Sequence, residues 1–140
     1  MLLIKRRNAP HAGQWDGIGG RLEPDEDPFT ACLREVREET GLAITAPRLR
    51  TLLVISVKST DELWLIFVFS AQAPQGTLTP SDEGELAWVG IDQINTLPVV
   101  ADLPMLLSYL DRDKVAVIRQ EYETDDAASV TRTQTFTPPN

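Results

Sequence analysis

The sequence has little of what several classes of protein require. It contains one cysteine, Cys32, and one histidine among 140 residues. A single cysteine excludes an intrachain disulfide, so we expect a reducing, cytoplasmic environment. No apolar run approaches the ~20 residues that cross a bilayer. The N-terminal apolar stretch, residues 1–4, is too short for a signal peptide and precedes its charges. We therefore expect no membrane partner.

Basic residues are also scarce. Thirteen lysines and arginines face 21 aspartates and glutamates, which gives a formal net charge of -8. This balance argues against a sequence-independent nucleic-acid binder, because such a protein needs a basic face. It leaves a small anionic ligand open, since divalent metal ions can screen an acidic protein from a polyphosphate.

The order of local patterns predicts an α+β fold. Apolar and β-branched runs predict strands at residues 2–5, 51–58, 63–71, 86–89 and 114–122. Helices are expected at residues 28–40 and 103–110. Because strands and helices mix without strict βαβ alternation, we expect a mixed β-sheet sandwiched between helices. One domain, residues 1–126, fits the length. Residues 127–140 are expected to form a flexible tail, since their end is polar without an apolar period.

The first helix carries an unusual group of charges. Asp27 suits its N-cap, Pro28 its first turn and Gly41 its end. Its acidic residues lie within an arc of about 100° beside an apolar stripe; they are Glu35, Glu38 and Glu39. They repel one another and oppose the helix dipole. Magnesium among them would relieve this repulsion, because it prefers oxygen ligands. The plain alternative is a solvated charged face with ordinary helix pairs.

The spacing around this helix decides between the two interpretations. Residues 20–42 match G-x5-E-x7-R-E-U-x-E-E-x-G-U at every specified position, where U is a bulky aliphatic residue. The sequence thereby resembles the Nudix (MutT-type) family. The resemblance implies the Nudix fold and a hydrolase of nucleoside diphosphate-linked substrates that depends on Mg²⁺, with Mn²⁺ as the alternative. It also implies metal ligands and catalytic groups, namely the Gly20 carbonyl, Glu35, Glu38 and Glu39.

Two further box residues have supporting roles in this resemblance. Glu26 would assist either through the metal shell or by bonding Arg34. Arg34 would orient a catalytic glutamate rather than touch the substrate. Which glutamate acts as the general base is left open, because it varies within the family.

Segments outside the box are similar to the branch that hydrolyses oxidised purine nucleoside triphosphates. Residues 14–23 resemble its glycine-rich loop and place Arg21 near the phosphates. Residues 81–89 resemble a second segment, in which a loop glutamate reaches the metals; Glu83 is the first candidate and Glu85 the second. Arg6 is a further phosphate-contact candidate, with an exposed strand end as the alternative.

The base pocket departs from that branch. Asp102 lies where the branch binds a purine edge, although a plain helix cap has the same sequence pattern. Valine stands where the branch has an aromatic residue, and Asp16 replaces its asparagine. An ionised aspartate only accepts hydrogen bonds, whereas asparagine also donates. The expected substrate-binding residues are Arg6, Asp16, Arg21 and Asp102, and the nucleotide itself is only loosely defined.

The favoured activity is the conversion of a nucleoside triphosphate, such as 8-oxo-dGTP, to a monophosphate and pyrophosphate. The alternatives are a pyrophosphatase for ADP-ribose or another nucleotide sugar, and a non-catalytic nucleotide-binding module. Family members usually have another strand ahead of residues 2–5. Its absence is open to three explanations: a misassigned start, a shortened chain, or a C-terminal segment that fills the edge. An uncovered edge would invite a homodimer.

Overall fold

The chain folds into two units that each contain a β-sheet. The computed structural model describes residues 1–9, 11–79 and 81–136. The first unit comprises Met1–Pro47 and Ala71–Leu103, and the second comprises Arg48–Ser70 and Pro104–Asn140. Within the described ranges, no helix is both long and apolar enough to cross a membrane.

An antiparallel sheet of three strands organises the first unit. Strand β1 (Leu2–Arg6) lies between β2 (Trp15–Asp16) and β5 (Gly84–Trp88). The β2 backbone also forms hydrogen bonds with residues 98–100. Trp15 N–H donates to the Pro98 carbonyl over 2.8 Å, and Val100 N–H donates to the Trp15 carbonyl over 3.0 Å. This segment follows a 3-10 helix, Ile91–Thr96. Residues 98–100, just before Asp102, are thereby held beside β2, which leads into the glycine-rich loop.

Helix α1 (Pro28–Thr40) has the boundaries that the sequence predicts. The Asp27 carboxylate accepts from Phe29 N–H over 2.8 Å and from Thr30 N–H over 3.1 Å, which caps the N-terminus. Gly41 adopts the left-handed conformation, with φ of 73°, and its N–H donates to the Arg37 carbonyl. The helix therefore starts and stops on local signals, which fixes the positions of its glutamates.

A mixed sheet organises the second unit. Its order is β4 (Glu62–Ser70), β3 (Arg48–Val57), β6 (Ala116–Tyr122), β7 (Val130–Phe136). Strand β6 runs parallel to β3, whereas the other two pairings are antiparallel. Alternate residues of β3 and β6 form a buried core, and Met105 and Leu106 of helix α2 (Leu103–Leu107) pack against it. The predicted α+β class with a mixed sheet is confirmed, although α2 is shorter than expected.

The C-terminal segment differs from its expected state as a flexible tail. A 3-10 helix at Ala127–Ser129 leads into β7, which pairs with β6 along Val130–Phe136. Its polar side chains find partners: Thr135 Oγ1 lies 3.0 Å from Tyr109 Oη, and Thr133 Oγ1 lies 3.4 Å from Gln120 Nε2. Threonine favours strands, so polarity alone was a poor sign of a tail here. Residues 137–140 lie outside the described residues.

Strand β3 has a partner on each side, β4 and β6. Strand β6 lies on the side of β3 opposite β4, in register from Thr51↔Ala116 to Val57↔Tyr122. Among the described residues, neither side of β3 is therefore an open edge.

Gly84→Ala tests the close approach of β5 to β1. A Cβ at Gly84 would lie 2.2 Å from the Lys5 carbonyl oxygen, which the strand pairing fixes in place. We expect the substitution to lower the free energy of unfolding by about 1–3 kcal/mol in urea denaturation. Gly17→Ala is the matched control, because its Cβ would meet nothing within 4 Å. Equal stability of both variants would contradict this account.

Candidate active site

The glycine-rich loop lies directly on carboxylates of α1. Gly19 N–H donates to Glu39 Oε2 over 3.2 Å. At Gly20, an added Cβ would lie 2.2 Å from Glu35 Oε1, so a side chain there would displace the Glu35 carboxylate from its present position. The loop backbone and two box glutamates therefore form one layer, and glycine is what allows them to approach.

Arg34 connects the two ends of the box. Its guanidinium donates to both carboxylate oxygens of Glu26, over 2.7 and 2.8 Å. It also donates to Glu35 over 2.8 Å, to Glu38 over 3.0 Å and to the Arg21 carbonyl over 3.1 Å. These bonds, with Glu26 first, raise the pKa of Arg34 and keep it charged. Of the two roles expected for Glu26, the structure shows the bond to Arg34.

The third box glutamate has a different environment. The side chain of Glu39 is buried, with 7% of its surface exposed. Burial, together with the charge of Glu83 and a hydrogen bond to it, raises the pKa of Glu39 from 4.5 to about 7, against the opposing effect of Gly19 N–H. Glu83 precedes β5 and comes from outside the box, as the sequence predicts. Glu85, the second candidate, lies within β5, where it is paired with Lys5 of β1.

The expected base-pocket residues meet at β2. Asp16 Oδ1 accepts from Gly17 N–H over 2.7 Å, and Oδ2 lies 3.5 Å from Arg6 Nη1. Burial raises the pKa of Asp16, Gly17 N–H and Arg6 lower it, and Asp102 raises it again. Asp16 and Asp102 are therefore close enough to interact. Arg21 has an exposed side chain, and its carbonyl accepts the bond from Arg34.

A small cavity of about 30 Å³ joins these groups. Its lining combines one apolar residue with polar and backbone groups and the two carboxyl groups: Ile4, Arg6, Asn8, Gly17, Gly19, Glu39 and Glu83. A space of this size holds one or two waters or a cation, whereas a nucleotide needs a cleft about ten times larger. Sequence reasoning missed Asn8, because a polar residue in a loop carries no distinguishing signal.

Comparison with known proteins assigns the family. The profile of the NUDIX domain matches residues 1–110. The chain belongs to the Nudix family. An uncharacterized Nudix hydrolase of Bacillus subtilis, YvcI, is 31% identical over 114 residues, which are 79% of this chain and 70% of that protein. The oxidized purine nucleoside triphosphate hydrolase of Mus musculus is 31% identical over 94 residues, which are 67% of this chain and 60% of that protein.

The fold agrees with a solved Nudix relative. The crystal structure of the mutator MutT protein from Bacillus halodurans superposes with a TM-score of 0.81 at 27% sequence identity. The match covers 96% of this chain and 88% of that chain. Together with the family match, this likeness supports a Nudix hydrolase that acts on a nucleotide.

The donors at this Nudix site suit a hard divalent cation in kind. Glu35, Glu39, Glu83 and the Gly20 backbone offer oxygen atoms only, and the Glu39–Glu83 pair holds two carboxyl groups together at a cost that a cation would offset. Within the described ranges, however, no three acidic, histidine or cysteine side chains converge closely enough to hold an ion. Glu38 in particular points to Arg34 and has 60% of its side chain exposed.

Glu39→Gln tests the strain in this pair. Because the pKa of Glu39 is raised from 4.5 to about 7, the folded chain holds a proton that the unfolded chain releases, and stability falls as pH rises through this window. In urea denaturation with EDTA, we expect the variant to match the wild type near pH 4.5 and to exceed it by about 1–3 kcal/mol at pH 8.

Glu26→Gln is the control of opposite sign. Arg34 lowers the pKa of Glu26, so its stabilising contribution is present above the unfolded pKa and this variant should be less stable than the wild type at pH 8. If Glu39→Gln also lost stability at pH 8, the assigned strain would be wrong.

Proposed function

We propose that this protein hydrolyses a nucleoside triphosphate, preferably one with an oxidised purine such as 8-oxo-dGTP, to a monophosphate and pyrophosphate. Water adds to one phosphorus, the neighbouring anhydride bond breaks, and pyrophosphate leaves with the electrons of that bond. The observation that carries the proposal is the Glu39–Glu83 carboxyl pair beside Arg6 in one cavity. The similarity to the Mus musculus hydrolase supports the substrate class.

The oxygen donors of the site and the family assignment support a set of groups that would hold Mg²⁺ or Mn²⁺. The Gly20 carbonyl, Glu35, Glu39 and Glu83 are the proposed ligands, with Glu38 joining from the next turn of α1. When bound, the ion would polarise a phosphoryl oxygen and acidify a water. Glu26 supports the site indirectly, since both of its carboxylate oxygens bond Arg34.

The remaining roles belong to the side chains. Arg34 donates hydrogen bonds to the carboxylates of Glu35 and Glu38 and thereby fixes their orientation. Its role is to position these groups rather than to bind the substrate. Arg6 and Arg21 are proposed to bind phosphate oxygens, since guanidinium groups match their geometry. Asp102 is proposed to accept a hydrogen bond from the base. A glutamate, Glu38 or Glu39, takes the proton from the attacking water.

Glu38→Gln and Glu39→Gln test the catalytic assignment. Each change keeps the size of the side chain and removes one negative charge and one proton acceptor, so we expect turnover to fall by about 10²–10⁴-fold while the fold survives. Release of pyrophosphate would be followed in magnesium, with circular dichroism as the check on folding. Glu121→Gln, in β6 of the second unit, is the control. Wild-type turnover in either variant would remove this mechanism.

A panel of nucleotides tests the substrate. 8-oxo-dGTP, dGTP, CTP and ADP-ribose would each be incubated with the protein and Mg²⁺, with Mn²⁺ or with EDTA, and the products identified by chromatography. The proposal expects the highest kcat/KM for an oxidised purine triphosphate and no turnover in EDTA. A preference for ADP-ribose would replace it with a nucleotide-sugar pyrophosphatase. Binding without any product would instead indicate a non-catalytic module.

A further inference from the structure

The Arg6–Asp16 ion pair is set by the β1–β2 register. Ile4 lies opposite Asp16 in the antiparallel pair. Alternate residues of a strand share a face, so Arg6 lies on the same face as Ile4 and is the diagonal neighbour of Asp16. The Arg6 Nη1 to Asp16 Oδ2 distance of 3.5 Å agrees with this placement. The pairing follows from the backbone rather than from chance side-chain contact.

Both carboxylate oxygens of Asp16 are engaged within the protein. Oδ1 accepts from Gly17 N–H over 2.7 Å, and Oδ2 faces Arg6. Burial opposes the charge of Asp16, whereas these two partners favour it. A residue that reads a base by accepting hydrogen bonds needs its oxygens turned towards the base. The internal partners compete with that role.

Arg6 brings a positive charge to the cavity of Glu39 and Glu83. All three residues line it. A polyphosphate that approaches these carboxyl groups would meet repulsion from them. A guanidinium at the edge of the cavity is the chemistry that binds a phosphate oxygen there.

The ion pair itself contributes little to stability. About a third of each side chain is exposed, 33% for Arg6 and 30% for Asp16. Solvent screens ion pairs with such exposure, so they add little to the free energy of unfolding. The more informative consequence is that Asp16 restricts where the long, flexible side chain of Arg6 can point.

We propose that Asp16 is a positioning residue, which holds the Arg6 guanidinium towards the phosphate chain of the nucleotide instead of reading the base. This rests on the proposed function and deepens it. Under this proposal, the aspartate that replaces the asparagine of the oxidised-purine branch at residue 16 serves phosphate binding. An asparagine would keep the acceptor for Gly17 N–H but would turn an uncharged amide towards Arg6. Asp16→Asn therefore removes the ion pair with Arg6 and keeps the hydrogen bond from Gly17 N–H.

A double-mutant cycle on phosphate binding tests the inference. Wild type, Arg6→Ala, Asp16→Asn and the double variant would be titrated with inorganic tripolyphosphate in Ca²⁺, which offers phosphates but no base. We expect Arg6→Ala to weaken binding about 10-fold, as for a charge-assisted hydrogen bond. Asp16→Asn should weaken it about 3-fold or more, and the double variant should bind no worse than Arg6→Ala.

The same four proteins give a kinetic readout on the best triphosphate. The loss should fall mainly on KM rather than on kcat, with the order of preference among bases unchanged. Lys58→Ala is the control for loss of a surface charge, because Lys58 pairs with Glu123 over 3.1 Å in the second unit. Thermal melting would confirm that every variant is folded.

Three outcomes would overturn the inference. Asp16→Asn that binds tripolyphosphate like the wild type but changes its base preference would make Asp16 a base reader. Fully additive losses would show that Asp16 acts independently of Arg6. Unchanged binding in Arg6→Ala, or no binding by the wild type, would remove the phosphate contact. A wild type that binds tripolyphosphate but hydrolyses no nucleotide would instead refute only the proposed function.

Discussion

The site depends on one guanidinium group. Arg34 bonds three carboxylates and a loop carbonyl, and these groups come from the loop, the start of α1 and its middle. An arginine is suited to this task because its donors lie in one rigid plane and its charge persists at any working pH. Without it, Glu35 and Glu38 would repel each other on adjacent turns, and the loop would lose its tie to the helix. The placement of Gly20 against Glu35 follows from this bond set.

Glu39 stands outside that arrangement. Its carboxyl group meets Gly19 N–H and the carboxyl group of Glu83, whereas the described carboxylate bonds of Arg34 go to Glu26, Glu35 and Glu38. The helix thus carries two kinds of glutamate: neutralised ones that an arginine orients, and a buried one whose charge is unfavourable. This separation follows from helical geometry, because Arg34 lies one turn before Glu38, whereas the side chain of Glu39 turns towards the loop. Two neighbouring glutamates of one helix therefore have opposite electrostatic environments.

The sequence predicted much of the first unit because its signals are local. Asp27, Pro28 and Gly41 define α1 through contacts within a few residues, and the spacing of the box follows from that helix. It could not predict the second unit as well. The parallel pairing of β3 with β6 joins residues about 65 positions apart. Neither strand carries a local sequence signal that specifies which strand it pairs with. Strand β7 was missed because its polar threonines resemble a tail until β6 is beside them.

The site shows the same limit. Glu83 was found only through a resemblance, since a loop acid has no pattern of its own, and Asn8 was not found at all. The expected convergence of the glutamates is incomplete among the described residues, because Arg34 draws Glu38 aside. Contacts within the box, such as the bond between Arg34 and Glu26, could be predicted from its spacing. Contacts between residues on different strands could not.

The pairing of β3 with β6 also bears on how the chain is made. A ribosome releases β3 and β4 well before β6, so the hairpin emerges with one edge of β3 bare. Contacts between segments so far apart in sequence form slowly, and a bare edge can pair with a neighbouring chain during that interval. Strand β6 is thus the strand that shields the nascent hairpin from pairing with another chain, so it protects the chain during synthesis as well as completing the sheet.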